Sequence, residues 1–600
     1  MGRAQGGGQS SSPGSFSERE GSALRAKAAA VLFDRMVGDP SAYVQWACFH
    51  ALARTGGPWM GEQAVKLLRS PNPDHIARAI HLCGDWKVAA AAKTLGAGIF
   101  SIKDDLLRRR CGVEFWRVAD RDAVEEFTAK MREAKGGLPF ARGCDALGSW
   151  RNPTAFKLAL DLLRSTRDGS PEQFCVELCL EKMTGHFFGP YPGIWNKWFE
   201  KNPEFFTPKQ ARIEREKWRA DFDKENKGFR QTKDTEKSVQ MGLEYLARHQ
   251  DQDGAWDPQG FRSRCDLSPT CSASTGTRVQ EDPSGRTGIA VLAFLGAGYS
   301  PESGKFKTAI RRGLEYLMAR QQVHGDYLTN DLIGGYNRPI ALQAYAEGYA
   351  VTHDERFLPF VRRGVDFLTQ IQNSIGGWRY RVEVQTSDSS VAAWMLFAMK
   401  AAEKAGVEVR PVVYEGCRML FERYSVRVPK DGPREDFVDI DPSYGFEVGK
   451  DTTYEFRTGY QDQAYAPTHA TTALGLMSHI LLGFRRSHPF CIGSANHIVA
   501  KQMPEAPKDG DWGKVNIKQE YPIYFFYYGT LAMHQMGGRY FRKWNEQVRT
   551  LLPETQVKEG CSRGAWIGKN LDGIFGSIYT TATGVMTLET YYRYLPVLQD

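Results

Sequence analysis

Gly242-Leu243-Glu244-Tyr245-Leu246, Gly313-Leu314-Glu315-Tyr316-Leu317 and Gly364-Val365-Asp366-Phe367-Leu368 are near copies of one segment. Each sits inside a longer amphipathic stretch that is charged along one face. Such stretches are expected near 234–250, 305–322, 356–372, 411–424, 491–503 and 539–552. Between them lie stretches of a second kind, rich in Ala, Gly, Met and aromatics and poor in charge. These are expected near 286–298, 339–351, 389–405, 468–483, 523–536 and 579–594. A helix that is apolar on nearly every side must be buried on nearly every side. Six helices of exposed type alternating with six of buried type imply two concentric rings, an (α/α)6 toroid around a central cavity. The loops that lead into the inner helices line its mouth.

A second signature joins outer helices to the segments that follow. A Gln near the helix end precedes a Gly-rich turn and an aromatic: Gln250 to Gly254-Ala255-Trp256, Gln321 to Gly325-Asp326-Tyr327, and Gln372 to Gly376-Gly377-Trp378. Weaker echoes run from Gln502 to Gly510-Asp511-Trp512 and from Gln556 to Gly564-Ala565-Trp566. Gly permits the tight turn, the aromatic packs on the neighbouring hairpin, and the Gln amide suits the unpaired backbone groups at helix ends.

On these Gln-to-Gly-x-Trp repeats the chain resembles the superfamily of squalene–hopene cyclases and protein prenyltransferase β-subunits. The resemblance covers roughly Thr235 to Pro596. Gly376-Gly377-Trp378-Arg379-Tyr380, Gly537-Gly538 and Tyr591-Tyr592-Arg593-Tyr594-Leu595-Pro596 look typical of the squalene-cyclase-like repeat proteins of planctomycete-type bacteria. The resemblance implies the toroid. It also implies chemistry that the residues only partly supply.

Squalene cyclases protonate an alkene with an Asp-x-Asp-Asp motif at the entrance to an inner helix. The matching place here is Gln385-Thr386-Ser387-Asp388, where Ser387 stands at the proton donor's position. A hydroxyl is too weak an acid for that step, and Asp388 suits the N-cap of the following helix. Asp439-Ile440-Asp441-Pro442 is the nearest other acidic pair and falls in a long loop. Prenyltransferases hold zinc with Asp, Cys and His. Here His469 opens an inner helix, with Asp462 upstream and Cys561 far downstream, but no Asp-x-Cys pair accompanies them. No metal and no cofactor are therefore expected. The residues carried forward as catalytic candidates are Asp388 and His469. Trp394, Tyr524, Tyr527, Tyr579 and Arg338 are carried as ligand-binding candidates, the aromatics being able to stabilise a cation or to form the ring's core. Toroids also host carbohydrate-active enzymes, which need paired carboxylates in an aromatic cleft. Asp388, Glu447, Asp462 and Glu520 are the candidates at the mouth, with Tyr528 as a further platform.

The first 200 residues carry a different period. Similar segments begin near Asp39, Asn72, Lys103, Leu138 and Ser170, a spacing of roughly 31 to 35 residues. Each holds a short apolar helix with a small residue where a neighbour must come close. Cys48, Cys83, Cys111, Cys144 and Cys179 follow nearly the same period and, without any Cys-x-x-Cys pair, read as small core residues. The pattern resembles HEAT-like repeats, whose stacked surface binds other proteins. The expected organisation is a disordered tail over 1–22, the repeats over 23–200, a charged linker helix over 201–233 and the toroid over 234–600.

Hydrophobic residues make up 42% and charged residues 25%, as in ordinary globular proteins, and the net charge is only +8 on 600 residues. No basic face marks a nucleic-acid binder. No apolar run spans a membrane, although peripheral contact stays open because the cyclases attach to one leaflet. Eleven cysteines, an odd number, and no apolar leader favour the cytoplasm. Cys265 and Cys271, which flank a short loop, could instead form a disulfide or half of a metal site, and a disulfide would argue for an extracytoplasmic home. Two functions remain in view. One is a toroid that binds an apolar or isoprenoid ligand, or serves as a scaffold, with the repeats docking a protein partner. The other is an enzyme, acting on an isoprenoid or on a carbohydrate.

Overall fold

The computed structural model describes residues 18–134, 136–186, 188–207, 232–257, 264–265, 267–268, 270–271, 282–323, 325–327, 334–373, 375–382, 386–429, 454–458, 467–486, 488–501, 503, 522–567 and 576–590. The chain divides into two compact units, Met1–Glu133 and Ala134–Asp600.

The first unit is a stack of paired helices: α1 Glu18–Gly38 with α2 Ala42–Thr55, α3 Gly61–Leu67 with α4 Pro73–Asp85, and α5 Ala92–Ser101 with α6 Asp105–Val118 and α7 Arg121–Glu133. α2, α4 and α6 follow one another in contact, so each pair buries the face that its predecessor exposes. The sequence writes the helix starts. Asn72 and Asp104 accept from backbone N–H groups of the turns they cap, and Pro73 occupies a first-turn position where no N–H is needed. α1 begins inside the segment read as a disordered tail.

The second unit opens with α8 Gly137–Gly148, α9 Pro153–Ser165, α10 Pro171–Thr184 and α11 Pro192–Lys201. The period of the sequence assigns these helices to the repeats, yet they fall in the same compact unit as the ring, to which buried charges tie α10. Lys182 Nζ reaches both Asp145 and Glu415 at 2.8 Å. Glu181 accepts from Arg418 at 3.0 Å and faces His488 at 3.5 Å. Burial alone would raise the Glu181 carboxyl, but the His488 and Arg418 charges hold it down to about 2. Most of the stretch read as a charged linker helix, 208–231, lies outside the described residues.

The ring follows the alternation of the sequence. The outer helices are Lys233–Arg248, Lys307–Arg320, Leu358–Gln370, Pro411–Tyr424, Pro489–Lys501 and Gly538–Thr555. The inner helices are Ser284–Gly296, Gly334–Thr352, Ser389–Lys404, His469–Leu481, Pro522–Met536 and Gly576–Leu588. Each inner helix touches the next, and the sixth touches the first, so the inner layer is closed. Each outer helix lies in the groove between two inner ones, the first outer helix between the sixth and first inner helices. Every residue of the first and sixth inner helices is buried, as their composition requires. A short antiparallel ribbon, β1 Ser425–Pro429 with β2 Tyr454–Thr458, follows the fourth outer helix. The helical reading did not contain it, but the fold remains all-α.

The Gln-to-Trp turns are the joints of the ring. Trp256, Trp378 and Trp566 each donate the indole N–H to a carbonyl near the end of the preceding outer helix, Leu246, Leu368 and Leu552, at 2.7, 2.8 and 2.9 Å. Each thus adds a donor to a carbonyl at a helix end, where intrahelical donors run out. The Gln side chain bridges instead. Gln372 Nε2 donates to Gly376 O at 2.9 Å and to Val413 O of the next outer helix at 3.0 Å. Gln250 joins Gly254 O to Ala309 O in the same manner, both at 2.9 Å. The last copy closes the ring: Gln556 Nε2 donates to Gly564 O at 2.9 Å and to Ser238 O of the first outer helix at 2.8 Å. The weaker echo from Gln502 to Trp512 lies outside the described residues.

Two predictions follow from this packing. Gly564 has φ +95, and a Cβ there would collide with the Met241 carbonyl oxygen of the first outer helix. Gly298 has φ +85 with open space around it. Gly298→Ala should cost about 1 kcal/mol, the left-handed strain alone, and Gly564→Ala clearly more. Equal shifts in urea unfolding midpoints would show that the close approach at the seam contributes nothing.

The second concerns acid. His479 on the fourth inner helix is stacked 3.8 Å from Phe490, and burial pushes its imidazole down to about 3. Burial does the same to His534 on the fifth, also to about 3. In the unfolded chain both take up a proton near about 6.5, whereas the folded protein keeps them neutral until about 3. Stability from these groups is therefore complete above the unfolded value and is lost as pH falls from there toward the folded one. Denaturation midpoints measured down to about pH 4 should fall, and His479→Gln should flatten part of that slope. An unchanged slope would mean that His479 already shares its proton in the fold.

Candidate ligand site at the mouth of the ring

Aromatic side chains from different inner helices meet inside the ring. Trp394 on the third inner helix stacks on Tyr527 of the fifth, with centroids 6.0 Å apart and an interplanar angle of 17°. Trp394 also meets Tyr528 edge-on at 6.1 Å, and Phe397 meets Tyr528 at 5.6 Å. The third and fifth helices are not neighbours, since the fourth lies between them in the ring, so these contacts are made through the interior. All four side chains are buried. They fill the interior one to two turns in from the helix starts, where the sequence leads one to expect open cavity.

Above this floor lies a rim drawn from the first turns of the inner helices. Tyr524 packs on Tyr528 at 4.8 Å. Burial, with the nearby Tyr528, Tyr579 and Asp388, pushes the Tyr524 phenol well above its ordinary range, and burial likewise raises Tyr579. Tyr336 bonds through its hydroxyl to the Ser390 hydroxyl at 2.5 Å, and its ring lies 5.9 Å from Tyr380. Tyr336, Tyr380, Tyr524 and His469 are only partly buried, but the Tyr524 hydroxyl itself is buried and those of Tyr336 and Tyr380 are spent on Ser390 and Asp388, so the rim offers ring surface more than free polar tips.

The two charged candidates on this side are already engaged. Asp388 is fully buried and caps the third inner helix: Oδ1 accepts from Ser390 N at 2.8 Å, Val391 N at 3.1 Å and the Ser390 hydroxyl, while Oδ2 accepts from Tyr380 OH at 2.9 Å. Ser387 Oγ, at the position of the cyclase acid, donates to Asn373 Oδ1 at 3.2 Å. Arg338 forms a two-pronged pair with Asp326, at 2.6 and 3.3 Å, and its third nitrogen donates to Tyr380 O at 3.3 Å. It is built into the wall of the rim.

Of the predicted residues, the structure thus brings together Asp388, Trp394, Tyr524, Tyr527 and Tyr579, with Arg338 behind Tyr380. His469 starts the fourth inner helix, just after its N-cap Thr468, with Phe525 at 5.7 Å. Asp439, Asp441, Glu447, Asp462 and Glu520 lie outside the described residues. Sequence reasoning missed Tyr336 and Tyr380. Their signal was their place in the first turn of an inner helix and just after a Gly-Gly-Trp turn. Cys265 and Cys271 are elsewhere, beside the end of the first outer helix, and their thiols are free instead of bridged. Cys561 has no part in a site with His469. It lies 3.4 Å from His249 Nε2, in the same cluster as Cys265 and Cys271.

The closed double ring with its clasped turns defines an (α/α)6 toroid. No family model matches the chain. The squalene–hopene cyclase of Bradyrhizobium diazoefficiens is 28% identical over 203 residues, which make up 30% of this chain and 28% of the cyclase. The chain therefore matches less than a third of that relative's length. Two solved structures of the GH76A α-1,6-mannanase of Salegentibacter sp. HEL1_6, one of them an inactive variant in complex with α-1,6-mannotriose, align with 59% of this chain and 98% of theirs. Their TM-score is 0.39 in both cases, with 11% and 10% identity. The cyclase likeness accords with the toroid; its activity does not transfer with so short a match.

The engagement of Asp388 makes a prediction. Asp388→Asn keeps an oxygen for the two backbone N–H groups, whereas Asp388→Ala leaves them and the Tyr380 hydroxyl without an acceptor. The alanine variant should lose about 2 kcal/mol or more and the asparagine variant clearly less, in urea unfolding. Two equal losses would show that the negative charge, and not the cap, is what the fold needs.

Proposed function

We propose that the toroid is a binding protein whose mouth holds an apolar, isoprenoid-like ligand, while the N-terminal helical repeats dock a protein partner. The supporting observation is the cross-ring aromatic cluster under a neutral rim. Trp394, Phe397, Tyr527 and Tyr528 offer a floor, Tyr336, Tyr380, Tyr524 and Tyr579 offer ring faces, and the nearby charges are held within the protein. Such a lining suits a ligand with large apolar area and at most a hydroxyl or carbonyl group. The four donors on Asp388 and the hydroxyl at Ser387 argue against protonation of an alkene, so binding is favoured over cyclisation. Approach to the mouth from a membrane surface would suit such a ligand.

A second reading takes the same rim as a platform for a sugar. The partly exposed tyrosines favour it, since flat rings bordered by hydroxyls stack on pyranose faces.

The test is mass spectrometry of an organic extract of the full-length protein purified from its native host, against an unrelated protein handled alongside. A stoichiometric isoprenoid or other lipid is expected. Tyr524→Ala and Tyr579→Ala should each lower its occupancy about tenfold, the loss of roughly one stacked ring and its buried area. A clean extract together with binding to oligosaccharides would transfer the site to the second reading. A clean extract without such binding would leave the toroid as a scaffold.

A further inference from the structure

The first outer helix ends at Arg248, and His249 follows as its C-cap. Its imidazole is fully buried, and Nδ1 lies 2.8 Å from the Tyr245 carbonyl oxygen one turn back. A carbonyl can only accept, so Nδ1 carries the proton and Nε2 presents its lone pair on the other side. Three sulfurs stand there: Cys271 Sγ at 3.2 Å, Cys561 Sγ at 3.4 Å and Cys265 Sγ at 3.8 Å. All four ligand atoms lie within 4.8 Å of one another. None of the three cysteines is bridged.

From these positions we infer that His249, Cys265, Cys271 and Cys561 form a structural zinc site. A zinc ion holds sulfur at about 2.3 Å and imidazole nitrogen at about 2.0 Å, so the nitrogen–sulfur edges of its tetrahedron are about 3.5 Å. The three measured edges straddle that value. A cluster with two metal ions would need its ligands in two separated pairs, and this set converges on one point. Four protein ligands close the coordination sphere, which is the structural form; a catalytic zinc keeps one position for water. Carbonyl oxygens fixing the outer nitrogen of a metal-bound His are the usual second support of such sites. The cysteines bind as thiolates, and three protons pass to solvent as the metal enters. With zinc and a neutral imidazole the site carries one net negative charge. The Arg248 guanidinium stands beside it, donating to Cys561 O at 3.2 Å and Arg563 O at 3.0 Å.

The position gives the ion its task. His249 lies in the first hairpin of the ring and Cys561 in the turn before the last inner helix, 312 residues later. That turn is the one whose Gln556 grips the first outer helix. The ion would clasp the two ends of the ring beside that hydrogen bond and remove the freedom of a very long loop in the unfolded chain. Cys265 is the least buried ligand and marks the side from which the ion enters. The zinc of the prenyltransferases, by contrast, is tied to the entrance of inner helices, as considered above for His469.

The test is metal analysis of the full-length protein, expressed with zinc supplied and purified under reducing conditions. One zinc per chain is expected, and Cys561→Ser should abolish stoichiometric binding. To separate loss of the site from failure of that variant to close its ring, the wild-type protein is also stripped of metal and titrated with cobalt. One equivalent should give the intense visible bands of a tetrahedral site and a near-ultraviolet sulfur-to-cobalt charge-transfer band. Added zinc should bleach both, and stripping should lower the thermal midpoint by several degrees. The site is overturned by protein without stoichiometric metal and without the cobalt bands, by stoichiometric iron in place of zinc, or by a Cys265–Cys271 disulfide in freshly isolated protein.

Discussion

Closure of the inner ring depends on one hydrogen-bonded joint repeated around it. In each complete copy a Gln amide spans from the carbonyl of a left-handed glycine to a carbonyl of the next outer helix, while the Trp of the same turn caps the helix behind. One turn thus serves two helices: it adds a second donor to a carbonyl in the opening turns of the next outer helix and a donor at the end of the helix behind. The glycines are required twice over. Their φ values lie between +85 and +102 at Gly254, Gly325, Gly376 and Gly564, and each sits so close to the next outer helix that a side chain would strike its backbone. In the last copy the next helix is the first one, so the same joint that spaces the hairpins also makes the array finite.

That finiteness shapes the interior. Six inner helices in a closed ring have no free face, which is why Ser284–Gly296 and Gly576–Leu588 are buried along their whole length. Side chains that point inward must then meet those of non-adjacent helices. Trp394 against Tyr527 and Tyr528 is the result. Aromatic rings suit such a place because they span the distance between helices that do not touch.

The alternation of helix types, the near-copied Gly-Leu-Glu-Tyr-Leu segments and the Gln-to-Trp spacing made the ring legible, because each is a local pattern that the ring merely repeats. The cap role of Asp388 was legible for the same reason: a single Asp before an apolar helix start. Other features arise between residues that no pattern links. Lys182 with Glu415 draws α10 onto the ring across a boundary that the 33-residue period places elsewhere. His249 with Cys561 meets only because the first and last hairpins of the ring are joined, so Cys265 and Cys271 alone read as a disulfide or as half of a metal site whose other half the sequence did not show. The Tyr380 hydroxyl on Asp388 depends on how one turn folds back over its own helix.

These observations connect the seam to the mouth. At the rim the charges are spent internally, Asp388 on four donors and Arg338 on Asp326, so the ligand proposed for it would gain mainly from stacked area. Each stacked ring contributes about 0.5–1.5 kcal/mol beyond its burial, too little to organise a loose site. Useful affinity therefore requires the rings to be held in place beforehand. Tyr524 and Tyr579 belong to the fifth and sixth inner helices, and the sixth borders the seam where the first outer helix is gripped. The sixth helix packs directly on the fifth and also on the first outer helix, so what holds Gln556 and its turn against Ser238 bears on the sixth helix from its other side. If the mouth binds as proposed, loosening the clasp would thus shift Tyr579 relative to Tyr524 and weaken that binding without altering any residue of the rim.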